Sequence, residues 1–252
     1  IRRPPRSTLD RSAAASDVYK RQDEEDITNA LIKVTRDELR KVYFLQGHGE
    51  KAIFPDEPGM ASAQLVKDEL EKQHFQVDAL NLFQQDEVPQ DADVIVIAGP
   101  IKQFAESEVG ALGRFLNKGG NVLAMLDPET NSGLEYLFAD WNIRFNGDMV
   151  LESHSSFVLT SSGLNRQSSV SFAPTAAEYG DHMITKNFRF ATSFVKAQSL
   201  SKINEENMDS NISELVYTSP NSWGETDFKM LFEAVSYTHL RAHETEADLV
   251  CR

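Results

Sequence analysis

The chain has one cysteine in 252 residues, Cys251, so no disulfide framework exists and the redox compartment is not written in its thiols. No run approaches the roughly 18 to 20 apolar residues needed to span a bilayer, so the sequence reads as soluble as it stands. Basic residues are scarce, with 25 Lys and Arg against 39 Asp and Glu and a net charge of −14. That balance argues against a general nucleic-acid or anionic-membrane binder, which needs a cation excess to displace counterions. The sequence also lacks G-x-G-x-x-G, the G-x-x-x-x-G-K of a phosphate loop and G-x-S-x-G, so no cofactor is expected and no strained nucleophile elbow is encoded.

What is present at first invites a metal. "HLRAHETEADLVCR" sets His239 and His243 one helical turn apart, with Glu244 and Cys251 close by. The glutamate that a zincin helix carries directly after its first histidine is missing, however. Residues 1–22, "IRRPPRSTLDRSAAASDVYKRQ", are basic and lack apolar periodicity, and 235–252, "VSYTHLRAHETEADLVCR", are equally unlike the middle. Both ends resemble translated sequencing-adapter DNA, and on that reading they are artefactual tails to be excluded from fold reasoning. They hold eight of the 25 basic and five of the 39 acidic residues, leaving the core at a net −17. The cysteine and two of six histidines leave with them, and the expected metal set becomes none. The remainder reads as a piece of a longer chain.

Residues 23–40 hold Ile27, Leu31 and Ile32 at helical spacing and read as a helical approach segment. "KVYFLQG" (41–47) reads as a buried strand closed by Gly47, and "MASAQLVKDELEKQHF" (60–75) as an amphipathic helix pairing Ala61 with Leu65 and Val66 with Leu70. "QVDALNL" (76–82) alternates as a strand. "ADVIVIAGP" (92–100) is the continuous apolar run of a parallel strand covered on both faces. A helix over 106–118 aligns Val109, Leu112 and Leu116 and stops at Gly119-Gly120; a strand over 121–128 and a helix over 132–143 follow. Parallel strands need helical crossovers, so the fold class is α/β, an open, mostly parallel flavodoxin- or Rossmann-like sheet. Beyond Phe145 the pattern loosens into "DMVLES" (148–153), "FVLTSSG" (157–163), a Ser-rich loop, and strand candidates at 189–202 and 214–220, a β-rich C-terminal extension. The domain is expected over 41–234, with a sub-boundary near 146.

Open α/β sheets bind ligands outside the carboxyl ends of their strands, which selects "GHGE" (47–50), "AGPIKQF" (98–104) and "LDPETNSG" (126–133). His48 and Glu50 suit a general acid/base pair or polar ligand contacts; the plainer reading is a tight turn with Gly47 and Gly49 at positive φ. Gly99 and Pro100 need only a turn, and Asp127 ends a strand where carboxylates hold metals or cap the next helix. Trp223, among turn formers, can stack on a sugar ring or peptide or simply fill space. Ser161, Ser162, Ser168 and Ser169 lie in loop-like sequence with no base beside them, and His154 and His182 are isolated.

"EEDITNALIKVT", "KVYFLQGHGE", "ADVIVIAGP", "GGNVLAMLDP", "HMITKNF" and "NSWGETD", in this order over residues 23–228, resemble the GldG family. These are gliding-motility-type auxiliary proteins of ABC transport systems that share a domain with an intraflagellar transport protein. The resemblance implies a non-catalytic extracytoplasmic binding or scaffolding module, related in fold to class I glutamine amidotransferase-like domains. It also implies transmembrane segments outside this sequence, ABC permease and ATPase partners, and a glycan or peptide ligand. The amidotransferase-like relatives use a nucleophilic cysteine that this core lacks. Met183 departs from the proline usual in "HMITKNF", which touches only the local turn. The alternative is a hydrolase or transferase of the same fold using His48, Glu50 and Asp127.

Overall fold

The computed structural model describes residues 27, 39–54, 62–160, 163–204, 212–229 and 231. Both terminal stretches set apart above lie outside the described residues, with His239, His243, Glu244 and Cys251 among them. The approach segment is described only at Ile27, Leu39 and Arg40. The chain divides into two compact units: residues 1–98 with 106–124, and residues 99–105 with 125–252.

The first unit is the α/β layer. Strands β1 (Arg40–Leu45), β2 (Phe75–Leu80), β3 (Val94–Ala98) and β4 (Asn121–Met125) form one parallel sheet in the order β2-β1-β3-β4. Val42 lies beside both Val77 and Val94, so β1 is central. This order belongs to flavodoxin-like sheets and puts the switch in winding direction between β1 and β3. Helix α1 (Gln64–Lys72) bridges β1 and β2, and α2 (Glu106–Asn117) precedes β4.

The apolar pattern explains the packing. Val42, Phe44, Ile53, Ala63, Val77, Val96 and Ala98 form one buried cluster, against which Leu70, Phe75 and Val94 rest. Each such side chain contributes about 1.5–3 kcal/mol by leaving water. Ile95 and Ile97, on the opposite face of β3, are fully buried too, as a continuous apolar run requires. Helix α1 corrects one expectation: Leu65 and Val66 stay exposed, and Leu70 carries the contact with the core. Helix α2 ends as its sequence dictates. Gly119 N–H donates to Leu116 O and Gly120 N–H to Phe115 O, with Gly119 at φ 88°, the Schellman arrangement. A Cβ on Gly120 would collide with the Phe115 ring.

The second unit is β-rich. The helix expected over 132–143 shrinks to α3 (Glu135–Ala139), because Gly133 before it and Asn142 after it take φ of 77° and 63°. Leu134 and Leu137 are buried while Trp141 is 46% exposed. The two strands expected at 148–153 and 157–163 are one, β6 (Met149–Thr160), and the Ser-rich loop is a strand, β7 (Gly163–Ser171), paired antiparallel with it. Strand β13 (Ser222–Glu225) lies on β6 and yields the order β13-β6-β7. Short antiparallel pairs complete the unit: β5 (Ile143–Phe145) with β11 (Leu200–Lys202), β8 (Thr175–Ala176) with β10 (Thr192–Ser193), and β9 (Glu178–Tyr179) with β12 (Val216–Tyr217). The continuous strand expected over 189–202 is therefore two short ones. Among the described residues no helix is long and apolar enough to cross a membrane.

Buried carboxylates hold these short strands in place. Asp148 accepts from Ser199 N at 2.8 Å and Ser199 Oγ at 2.7 Å. A Cβ on Gly224 would collide with its Oδ2. Glu152 accepts from Thr175 N at 2.9 Å and Ser219 Oγ at 2.5 Å. The Ser219 hydroxyl first, and the Thr175 N–H second, hold its carboxyl below the ordinary value of 4.5. Asn142 exchanges two hydrogen bonds with the Asn204 backbone, at 2.8 and 2.9 Å.

Candidate functional site

The loop after β1 leaves the carboxyl end of the first unit's sheet. Gln46 N–H still donates to Leu80 O, and Lys51 N–H returns to Ala98 O on β3. Between these anchors Gly47 and Gly49 take φ of 128° and 81°, as expected of a tight turn that a Cβ would strain. The turn carries His48 inward, to 9% exposure.

His48 and Glu50 converge. The His48 backbone N–H donates to Glu50 Oε2 at 2.8 Å, and the ring Nδ1 lies 3.4 Å from Glu50 Oε1. A third group, not foreseen, completes the arrangement: Glu108, in the first turn of α2, with Oε2 3.0 Å from His48 Nε2. The side chains of Glu50 and Glu108 are only 1% and 3% exposed. One imidazole thus stands between two buried carboxylates and spans from the β1 loop to α2. Buried carboxylates need donors or countercharge; the His48 backbone N–H bonds Glu50 and its ring Nε2 bonds Glu108. Among the described residues no group of three His, Cys, Asp or Glu is arranged to hold a metal ion.

Glu108 was legible in retrospect. The buried face of α2 is Glu108, Ala111 and Leu112, spaced i, i+3, i+4, so a glutamate sits on the apolar stripe beside the carboxyl end of the sheet. Aligning the stripe on Val109, Leu112 and Leu116 hid it, since Val109 and Leu116 are only half-buried.

The remaining candidates belong to the second unit. Gly99 takes φ 63° and donates its N–H to Met125 O, and Pro100 is fully buried. Asp127 uses its backbone carbonyl, which accepts from Thr130 N at 3.3 Å and Thr130 Oγ1 at 2.9 Å and closes a turn. Ser132 Oγ accepts from Leu134 N–H at 3.2 Å, and Leu134, the N-cap of α3, has no side-chain capping bond. Trp223 lies on β13, not in a turn, opposite Leu151 and 40% exposed.

Trp223 lines a cavity of about 690 Å³ whose wall is mainly apolar: Val150, Pro174, Phe194, Leu200, Val216 and Tyr217. Lys202 and Glu214, 3.9 Å apart, add charge to the lining. A largely apolar concavity with a few polar groups is the usual form of a small-ligand or peptide site. Tyr217 and Phe194 fell in the strand candidates 214–220 and 189–202 and carried no mark of a site, because it is the fold that brings them beside Trp223.

A solved structure, the "mmIFT52 N-terminal domain", is similar to this chain with a TM-score of 0.54 and 14% identity, covering 72% of this chain and 74% of that one. At that identity the likeness speaks for the fold alone. Comparison with the curated proteins returns no match. The profile of the family described as an ABC-type uncharacterized transport system matches residues 39–246 and so extends past 234 into the C-terminal stretch set apart on sequence. With most of its length matched, the chain belongs to that family, the auxiliary components of ABC-type transport systems.

Proposed function

We propose that the chain is a non-catalytic binding and scaffolding module of the GldG type, working on the extracytoplasmic side of a membrane ABC transport system beside its permease and ATPase. The observation that carries this reading is the environment of His48. Both ring nitrogens lie within 3.4 Å of carboxylates that are themselves buried, so this acid/base constellation acts as an internal tie between a loop and a helix. Open, aromatic-lined volume lies instead around Trp223 and Tyr217. A glycan or extended peptide is the ligand that stacking surfaces and a polar rim suit.

The test is titration of the purified chain with cell-wall glycan fragments and with peptides, read by tryptophan emission. Saturable quenching that Trp223→Ala abolishes is expected. Quenching unchanged in Trp223→Ala, or none with either ligand class, defeats the assignment of the cavity. Co-purification of the tagged full-length protein with permease and ATPase tests the scaffolding half separately.

A further inference from the structure

The second unit carries a surface that its composition does not announce. Acidic residues make up 39 of 252 positions, yet 182–204 contains none, while Lys186, Arg189, Lys196 and Lys202 all fall within it. Lys202 lies near Glu214; none of the ion pairs among the described residues involves Lys186, Arg189 or Lys196. All three are exposed, and the same stretch holds large apolar side chains turned to water: Met183 at 89%, Ile184 at 71%, Phe190 at 76% and Val195 at 71% exposure.

The base beneath these residues is firmly bonded. Lys186 N–H and Thr185 N–H both donate to His182 O, and Thr185 Oγ1 donates to Gly180 O. Tyr179 OH lies within 3.0 Å of Ala176 O, Phe190 O and Thr192 Oγ1. The Tyr179 and Phe188 rings meet edge-on at 5.1 Å. Arg189 Nη1 donates to Lys186 O and Phe188 O, which fixes its guanidinium over the turn. Exposed methionine, isoleucine and phenylalanine on a bonded turn are not awaiting burial by the turn itself; they are held out toward something else.

We propose that this turn, Met183–Lys196, is a membrane-contact surface: Met183, Ile184 and Phe190 enter the headgroup–acyl boundary of an anionic phospholipid bilayer while Lys186, Arg189 and Lys196 meet its phosphates. Charge complementarity selects the occupant. A stretch that carries these cations and no acid of its own is attracted to an anionic surface, with Asp181 at its edge lining the same concavity as Lys186 and Arg189, whereas the acidic remainder of the chain is repelled by it, so the protein is oriented as well as bound. The net −14 does not oppose this, because screening limits each charge to about 8–10 Å and the bilayer meets the local patch. A long aliphatic stem under each cationic head lets lysine and arginine stay at the phosphates while their neighbours go deeper. The transport system to which the family belongs is built around a bilayer, so such a surface is always at hand.

Flotation of the full chain with vesicles made of equal parts phosphatidylglycerol and phosphatidylcholine tests this. Binding is expected with these vesicles at low salt, and loss at high salt or with phosphatidylcholine alone. Each cation contributes roughly fivefold to partition, so the triple variant Lys186→Gln, Arg189→Gln, Lys196→Gln should bind about a hundredfold more weakly. Lys102→Gln, Lys118→Gln, Lys229→Gln, with the same change in net charge elsewhere, should bind like the parent. Met183→Ser with Ile184→Ser should weaken binding at unchanged salt dependence. All of these side chains are exposed, and unchanged thermal midpoints will show the variants folded. No flotation, equal flotation with neutral vesicles, or equal loss in both triple variants overturns the proposal. The first of these outcomes hands the patch to an acidic protein segment.

Discussion

The two units are held together by different physics. The first uses a parallel sheet with a central strand, and its cohesion is an apolar cluster centred on Val42, Phe44 and Val96. The second has strands of two to four residues beside one long hairpin, and its cohesion passes through polar pins: Asp148 on Ser199, Glu152 on Thr175 and Ser219, Asn142 on Asn204. Strands that short bury too little side chain to hold themselves, so ionised acceptors satisfied by backbone and hydroxyl donors supply strength and register. Hydrogen bonds to charged groups contribute about 1.5–3 kcal/mol, roughly twice the neutral value. The lesson is that acidic composition here is not only a solvated surface; some of it is structural and internal.

Mutations can break that contrast in order of size. Phe44→Ala should cost about 3–5 kcal/mol, as large aromatic deletions in a filled core do, read as a lower urea midpoint by far-UV circular dichroism. A shift below about 1 kcal/mol would show that the cluster is not what holds the sheet. His48→Ala, which removes the ring nitrogen bonded to the buried Glu108 carboxylate and leaves the backbone bond to Glu50 in place, should cost about 3 kcal/mol, and His48→Gln should regain part of it by keeping one side-chain N–H. Equal stability of the alanine variant and the parent would refute the tie between loop and helix.

Glu152→Gln should cost about 2 kcal/mol. Both tryptophans, Trp141 and Trp223, lie in the second unit, so emission during unfolding reads that unit. The pH dependence has a definite sign. Because the folded carboxyl sits below its ordinary 4.5, its contribution is complete above that value and fades as pH falls through the lower, folded one. The acid limb of the emission midpoint should therefore flatten in Glu152→Gln; an unchanged limb would assign acid sensitivity elsewhere. Lys41→Ala should have the smallest effect. Its bond to Asp91 at 2.5 Å raises its own proton affinity and lowers that of Asp91, but both groups stand in solvent. Any measurable change should vanish at high salt.

How far the sequence could be read follows the same division. β1, β3 and the glycine stop of α2 were legible because burial on both faces and a left-handed turn leave strong local marks. Strand β7 was not: "GLNRQSSVS" has almost no apolar period, and its pairing with β6 is a fact about distant backbone. Helix α3 was overread because Leu134, Leu137, Phe138 and Trp141 fit a helical stripe, although Asn142 ends the helix with its own dihedral. At the candidate site, His48 and Glu50 were found by their glycines and their place after a strand. Glu108, on another element sixty residues on, was hidden by aligning the stripe of α2 on Val109, and only its meeting with His48 needed the third dimension.

Asp148 and Gly224 have a consequence for descent. The carboxylate that clasps Ser199 occupies the space where any side chain at 224 would begin. Neither position can drift alone: a methyl at 224 evicts the aspartate, and a larger residue at 148 meets the neighbouring strand. Among homologues the two should change together or stay as they are. A lineage that has lost the aspartate is where a substituted glycine should first be found.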